Sequence, residues 1–185
     1  MRKIITIVFV LLFLLTPAFA DNSATTSAAP SVGPTPVGYT LPYPGLLPGN
    51  PLYYFKVARD KIVELFITDP EKKSKFYLLQ ADKHLEAGIL LWDQKRFDES
   101  EAMISKGENY LDMAVGRAAA AKQAGEANDE VLMDLSLSSR KHQEVIKGLA
   151  DTASSSVKDK LEIDLQKAAD IEKSVSQLQQ QNKPK

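Results

Sequence analysis

Apolar residues recur at spacings of three and four along most of the chain. Leu78, Ala81, Leu85, Ile89 and Trp92 form one stripe, and Ile104, Gly107, Leu111, Ala114, Ala118 and Ala121 form a second. Leu132, Leu135, Ser139, His142, Ile146 and Leu149 make a third, and Val157, Leu161, Leu165, Ala168, Ile171, Val175 and Leu178 a fourth. This spacing gives each helix one face that needs a partner. From Glu71 to Lys183 there is no proline, and the run is rich in strong helix formers. Asn50-Pro51 and Asp69-Pro70 each set a capping side chain before a proline at the first helical position. Asp98 with Glu101, and Ser156 with Asp159, read as capping boxes, while Gly125–Asp129 and Ser154–Ser156 read as breaks. The pattern predicts helices over about 51–67, 70–94, 98–125, 129–150 and 156–180, with 181–185 a frayed tail. Short connections make neighbours antiparallel, so the expected fold is an all-α antiparallel bundle of about five helices. Within the second stripe the residues shrink toward the C-terminal end, which lets two helix backbones approach closely.

The chain before the helices has three textures. Met1-Arg2-Lys3, an apolar run from Ile4 to Leu15, and Ala18-Phe19-Ala20 before Asp21 form a signal-peptide pattern over residues 1–20, with cleavage between Ala20 and Asp21. The alternative is a retained anchor, but the apolar run is shorter than a bilayer span and Pro17 interrupts it. Residues 21–40, rich in Ser, Thr, Ala, Pro and Gly, read as a flexible tether. Residues 41–51 read as a collar. Between Pro30 and Pro51 lie seven of the ten prolines and four of the nine glycines, yet Leu41, Tyr43, Leu46 and Leu47 are interspersed. Solvated linkers seldom carry so many large apolar groups, so the collar is expected to pack on the helical body over 41–180. Its alternative is a polyproline ligand for an aromatic groove.

The order of collar, helix and Asp-Pro step also carries a family likeness. Pro51-Leu52-Tyr53, Lys56, Arg59-Asp60 and Asp69-Pro70-Glu71-Lys72-Lys73 resemble the opening of a bacterial extracytoplasmic family catalogued as domain of unknown function 5667, over about residues 41–115. The resemblance implies an exported all-helical domain and supplies no catalytic or binding residue. A weaker echo, Tyr77-Leu78…Ala81 against Tyr110-Leu111…Ala114, suggests a tetratricopeptide-like hairpin. Such arrays need several repeats and only one pair and a fragment are present, so two antiparallel helices with similar stripes are the preferred explanation.

Composition narrows the chemistry. The 185 residues include no cysteine, which excludes disulfides, thiol nucleophiles, zinc–thiolate sites and iron–sulfur clusters. A net charge of −1 offers no global field for nucleic acid. His84 and His142 are the two histidines. The positions three and four residues from His84 are Gln80, Ala81, Ala87 and Gly88, which offer no good metal ligand, and neither histidine has an acid at dyad spacing. Asp82 and Glu86 form an i,i+4 carboxylate pair of the kind common on solvated faces. His142 lies on an apolar stripe. Lys56, Arg59, Lys61, Lys72, Lys73 and Lys75 interleave with Tyr53, Tyr54, Phe55, Phe76 and Tyr77. Such a patch can meet an anionic polymer or lipid surface, but nearby acids favour aromatics in the core and lysines in water.

No catalytic, cofactor or metal residues are expected. The function expected is a non-enzymatic structural or protein-interaction module, secreted or otherwise outside the cytoplasmic membrane. Its partner would be an unidentified protein of the envelope or beyond, with no nucleic acid and no stable membrane insertion after signal cleavage. The alternative is a peptide-binding, tetratricopeptide-like repeat.

Overall fold

The computed structural model describes residues 36–125 and 129–181, and among them five helices and no strand. These are α1 (Tyr53–Phe66), α2 (Pro70–Asp93), α3 (Phe97–Gln123), α4 (Asp129–Thr152) and α5 (Ser155–Gln180). The cleavage residues Ala20 and Asp21 lie outside the described residues. Among those residues no helix is long and apolar enough to cross a membrane.

The helix starts follow the sequence grammar unevenly. Asp69 caps α2, accepting a 2.8 Å hydrogen bond from Lys72 N with Pro70 at the first position. At α1 the Asn50 side chain accepts from Leu52 N at 2.9 Å, so it caps a turn that precedes the helix. The two expected capping boxes do not form. Helix α3 begins at Phe97, before Asp98, and α5 begins at Ser155 behind Ser154, neither with a side-chain cap. The break between α2 and α3 turns on Lys95, a non-glycine residue at φ 61°, and the chain leaves α3 through Gly125 at φ 76°.

Helices α2 and α3 form an antiparallel hairpin, with Ser74 Oγ bonded to Ala114 O at 2.8 Å near one end and Ser100 Oγ to Gly88 O at 2.7 Å near the other. The expected close approach is real. A Cβ on Gly107 would lie 3.1 Å from Ala81 O, and one on Gly88 would lie 2.6 Å from Ile104 Cγ1. Helices α4 and α5 form a second antiparallel hairpin, joined by Gln143 to Glu172 and by Gln179 to Leu132 O. Across the hairpins, α3 and α5 run parallel: Glu101 meets Lys160, Asn109 meets Lys167, and Lys122 meets Leu178 O in the same order. The echo residues Tyr77, Leu78, Ala81, Leu111 and Ala114 sit in one shared core cluster, which is what facing antiparallel helices require.

The second stripe is buried in full, from Ile104 to Ala121. The first turns near its end. Leu91 is fully buried, while Trp92 is half-buried, lying at the edge of the core with its ring 4.8 Å from that of Phe97. The buried position at this end of α2 passes to Leu91, one place before the stripe residue.

The collar touches the body through Pro44, which is fully buried, and through Leu41, whereas Tyr43 stands in water. Lys56 Nζ bonds Pro44 O and an Arg96 nitrogen bonds Pro48 O, each at 2.8 Å. The contact starts earlier than the sequence suggested. Val37 N donates to Glu144 Oε2 at 2.7 Å and Tyr39 Oη to Asp82 Oδ2 at 2.5 Å, so the last residues of the 21–40 segment are bound to the bundle and do not behave as tether.

Candidate functional site

Two places in the molecule depart from the rule of apolar inside and polar outside. The first is a polar layer at mid-height in the bundle. One apolar cluster holds Leu78, Leu111, Leu135 and Ile171; the other holds Leu85, Ile104, Ile146 and Leu161. Between them each of the four long helices contributes a titratable side chain: Asp82 from α2, Glu108 from α3, His142 from α4 and Asp164 from α5. All four are buried, Glu108 and His142 at 0% exposure.

Helix periodicity places them there. Asp82 follows Leu78 by four, Glu108 follows Ile104 by four, and Asp164 follows Leu161 by three, so each lies on a core-facing row. The His142 ring bridges two carboxylates, with Nδ1 2.5 Å from Glu108 Oε1 and Nε2 3.3 Å from Asp82 Oδ1. Asp82 also accepts from Ser138 Oγ at 2.6 Å and from Tyr39 Oη. Burial alone would lower the His142 pKa, but the Glu108 charge, the hydrogen bonds to Asp82 and Glu108, and the Asp82 charge outweigh it and raise the ring to about 9. Both ring nitrogens face carboxylate oxygens, an arrangement that favours the doubly protonated imidazole. Burial, followed by the Glu108 charge, pushes Asp164 up to about 7, against a hydrogen bond with Ser105. Among the described residues, Glu108 Oε2 and Asp164 Oδ2 are buried and find no hydrogen-bond partner.

The sequence expectation that neither histidine has a nearby acid is therefore corrected for His142. Its partners lie 34 and 60 positions away, beyond any local spacing rule. The Asp82/Glu86 pair divides: Asp82 joins the layer and Glu86 stays half-buried, its carboxyl raised first by burial and then by Asp93. His84 stands apart, with Nδ1 2.6 Å from Gln80 O and its ring 5.1 Å from that of Tyr110. Burial, aided by the charges of Lys106 and Lys56, lowers it to about 4.

Chemically the layer has the parts of a charge relay but no free imidazole nitrogen to act as a base. Two surface cavities, of about 580 and 320 Å³, are lined by α3 and α5 residues and Tyr77, and no member of the layer borders either. Among the described residues no group of three or more His, Asp and Glu side chains is arranged to hold a metal ion. The placement of the layer penalises a change of register. A one-turn slip of any helix would leave a charge facing hydrocarbon, which is costly unless it is paired.

The second place is α1, whose 14 residues include none that is buried. Tyr53, Lys56, Asp60 and Glu64 face the bundle, with Tyr77 Oη bonded to Glu64 Oε1 at 2.6 Å. Tyr54, Phe55, Leu65 and Phe66 are 74–79% exposed, and Ile62 is 59% exposed. The expectation that these aromatics are core holds for Tyr77, which is 2% exposed, and fails for Tyr54 and Phe55. The inner side of α1 mixes Tyr53 and Val57 with the polar Lys56, Asp60 and Glu64, and most of the helix's large apolar residues lie outward.

No family model matches this chain, and neither a curated protein nor a solved structure is similar to it.

Proposed function

We propose that this chain is an exported, non-catalytic module of the extracytoplasmic family it resembles, working by surface contact outside the cytoplasmic membrane. The signal-like N-terminal pattern supports export. The observation that carries the contact reading is α1, a helix held to the collar and the bundle through Lys56 and Glu64, with Tyr54, Phe55, Leu65 and Phe66 in water. Exposed apolar patches of this kind mark interaction sites on soluble domains. The polar layer agrees with it, because its ionised groups are sealed in the core, consistent with holding the bundle in register.

Fractionating the producing cell and comparing two folded variants tests this reading. The chain is expected outside the cytoplasmic membrane without residues 1–20. Phe55→Ser/Leu65→Ser should lose the cellular phenotype, while folded His142→Gln should keep it. Recovery from the cytoplasm, or loss of the phenotype with His142→Gln at intact fold and intact contact, would overturn it.

A further inference from the structure

The nature of the contact follows from the charges around α1. At about 100° per residue, Tyr54, Leu65, Ala58, Ile62, Phe55 and Phe66 share an outward arc of roughly 120°. Lys61 stands at one margin of this arc and Arg59 at the other. The acids of the helix are elsewhere: Glu64 is bonded inward to Tyr77, and Asp60 faces the body and holds Arg59 at 2.7 Å. More cations gather behind the ridge. Lys83 of α2 and Lys106 of α3 lie close enough that, after burial, their charges and that of Arg59 lower the Lys56 pKa. Lys61 acts on Lys106 in the same way. The result is a convex apolar ridge rich in Tyr and Phe, with cations on both sides and no acid on its outer arc.

A second copy of the chain does not suit this surface. Pairing two α1 ridges antiparallel sets each flank against itself, Arg59 to Arg59 and Lys61 to Lys61. Pairing them parallel sets the Arg59 flank against the Lys61 flank, so cation meets cation in either orientation. A flat, apolar, negatively rimmed partner suits it on both sides at once, and that is the boundary of an anionic bilayer. We propose that α1 seats its outward face on an anionic lipid surface, lying in the interface plane with Arg59 and Lys61 at headgroup level. This rests on the contact reading above and names its partner. It needs no membrane-spanning helix.

Sedimentation with vesicles tests it, using the chain from Asp21 to Lys185, which keeps every described residue. Vesicles of equal parts phosphatidylglycerol and phosphatidylcholine should carry the protein down, and pure phosphatidylcholine vesicles should not. Phe55→Ser/Leu65→Ser should cut the bound fraction at least about tenfold. Salt at about 1 M, which shortens the screening length to ~3 Å, should release much of the wild type. Arg59→Glu/Lys61→Glu gives the same readout through the rim if the first variant misfolds by circular dichroism. The proposal is overturned if anionic vesicles do not bind the wild type, if binding survives both variants, or if the ridge mediates a dimer that these variants break. Absence of vesicle binding with the phenotype still lost in Phe55→Ser/Leu65→Ser would replace lipid by a protein groove and leave the contact reading standing. Loss of the phenotype in folded His142→Gln would remove the contact reading itself.

Discussion

The bundle interior and helix α1 invert the usual arrangement in opposite senses. At mid-bundle, Asp82, Glu108, His142 and Asp164 sit where leucines could. On α1, Tyr54, Phe55, Leu65 and Phe66 sit where lysines could. The difference lies in what each group can reach. The interior charges find each other: His142 closes on two carboxylates, and Tyr39 and Ser138 complete Asp82. Burial is tolerated for His142, Asp82 and one oxygen of Glu108 because each finds a partner, and breaking such pairing is expensive. On α1, Phe55, Leu65 and Phe66 stand mostly in water, and Tyr54 meets the neighbouring ring of Tyr53. Hydrophobicity therefore does not assign a residue's place; the availability of a complement does.

The two regions should respond to substitution very differently. His142→Leu strands Glu108 and Asp82 in the core, and equilibrium urea unfolding should show a loss of about 3–5 kcal/mol. Adding a methyl group to Gly88 forces Ile104, whose Cγ1 lies 2.6 Å from the new Cβ, to move. Gly88→Ala should then cost about 1–3 kcal/mol, and Gly88→Ala/Ile104→Ala, which removes Cγ1 as well, should cost less than the sum of its two single changes.

The layer also predicts a pH dependence with a definite sign. The folded His142 pKa of about 9 lies above the ordinary 6.5, so its contribution is full below about pH 6.5 and is lost as pH rises through 9. Asp164, raised to about 7, also takes stability away as pH rises, over about pH 4 to 7. His84, lowered to about 4, acts oppositely below about pH 6.5, where stability falls with acid. Between pH 7 and 9 the His142 effect stands clear. The unfolding free energy from urea titrations there should fall with a slope of at most roughly 1.4 kcal/mol per pH unit, and His142→Gln should flatten that slope.

The sequence made the helices legible because their signals are local. Asp69-Pro70 starts α2 where its cap predicts, and every residue of the stripe from Ile104 to Ala121 is buried. The polar layer was hidden by one position. Asp82, Glu108 and Asp164 each adjoin a stripe residue (Ala81, Gly107, Leu165), so a reading by apolar spacing sends them to the solvated face. Helices packed on more than one neighbour bury a wider arc than a single stripe, which is also why Leu91 outranks Trp92. The i+4 and i+3 steps from Leu78, Ile104 and Leu161 were the available signal. For α1 the basic-aromatic interleaving was visible, but which side faced the bundle was not. Glu64 and Lys56 settle that through Tyr77 and Pro44, residues on other elements.

The smallest expected effects belong to surfaces. Trp92→Ala removes a half-buried ring at the core edge and should cost less than the ~3–5 kcal/mol of a fully buried aromatic, with native Trp emission only moderately blue-shifted. Phe55→Ser/Leu65→Ser should leave stability within about 0.5 kcal/mol for each residue changed.

Paired urea unfolding of His142→Leu and Phe55→Ser/Leu65→Ser at pH 7 tests the contrast most directly. An unfolding free energy lowered by several kcal/mol for the first and nearly unchanged for the second is the expected result. Equal destabilisation by the two would mean that the outward face of α1 belongs to the fold and is not a surface kept free for contact.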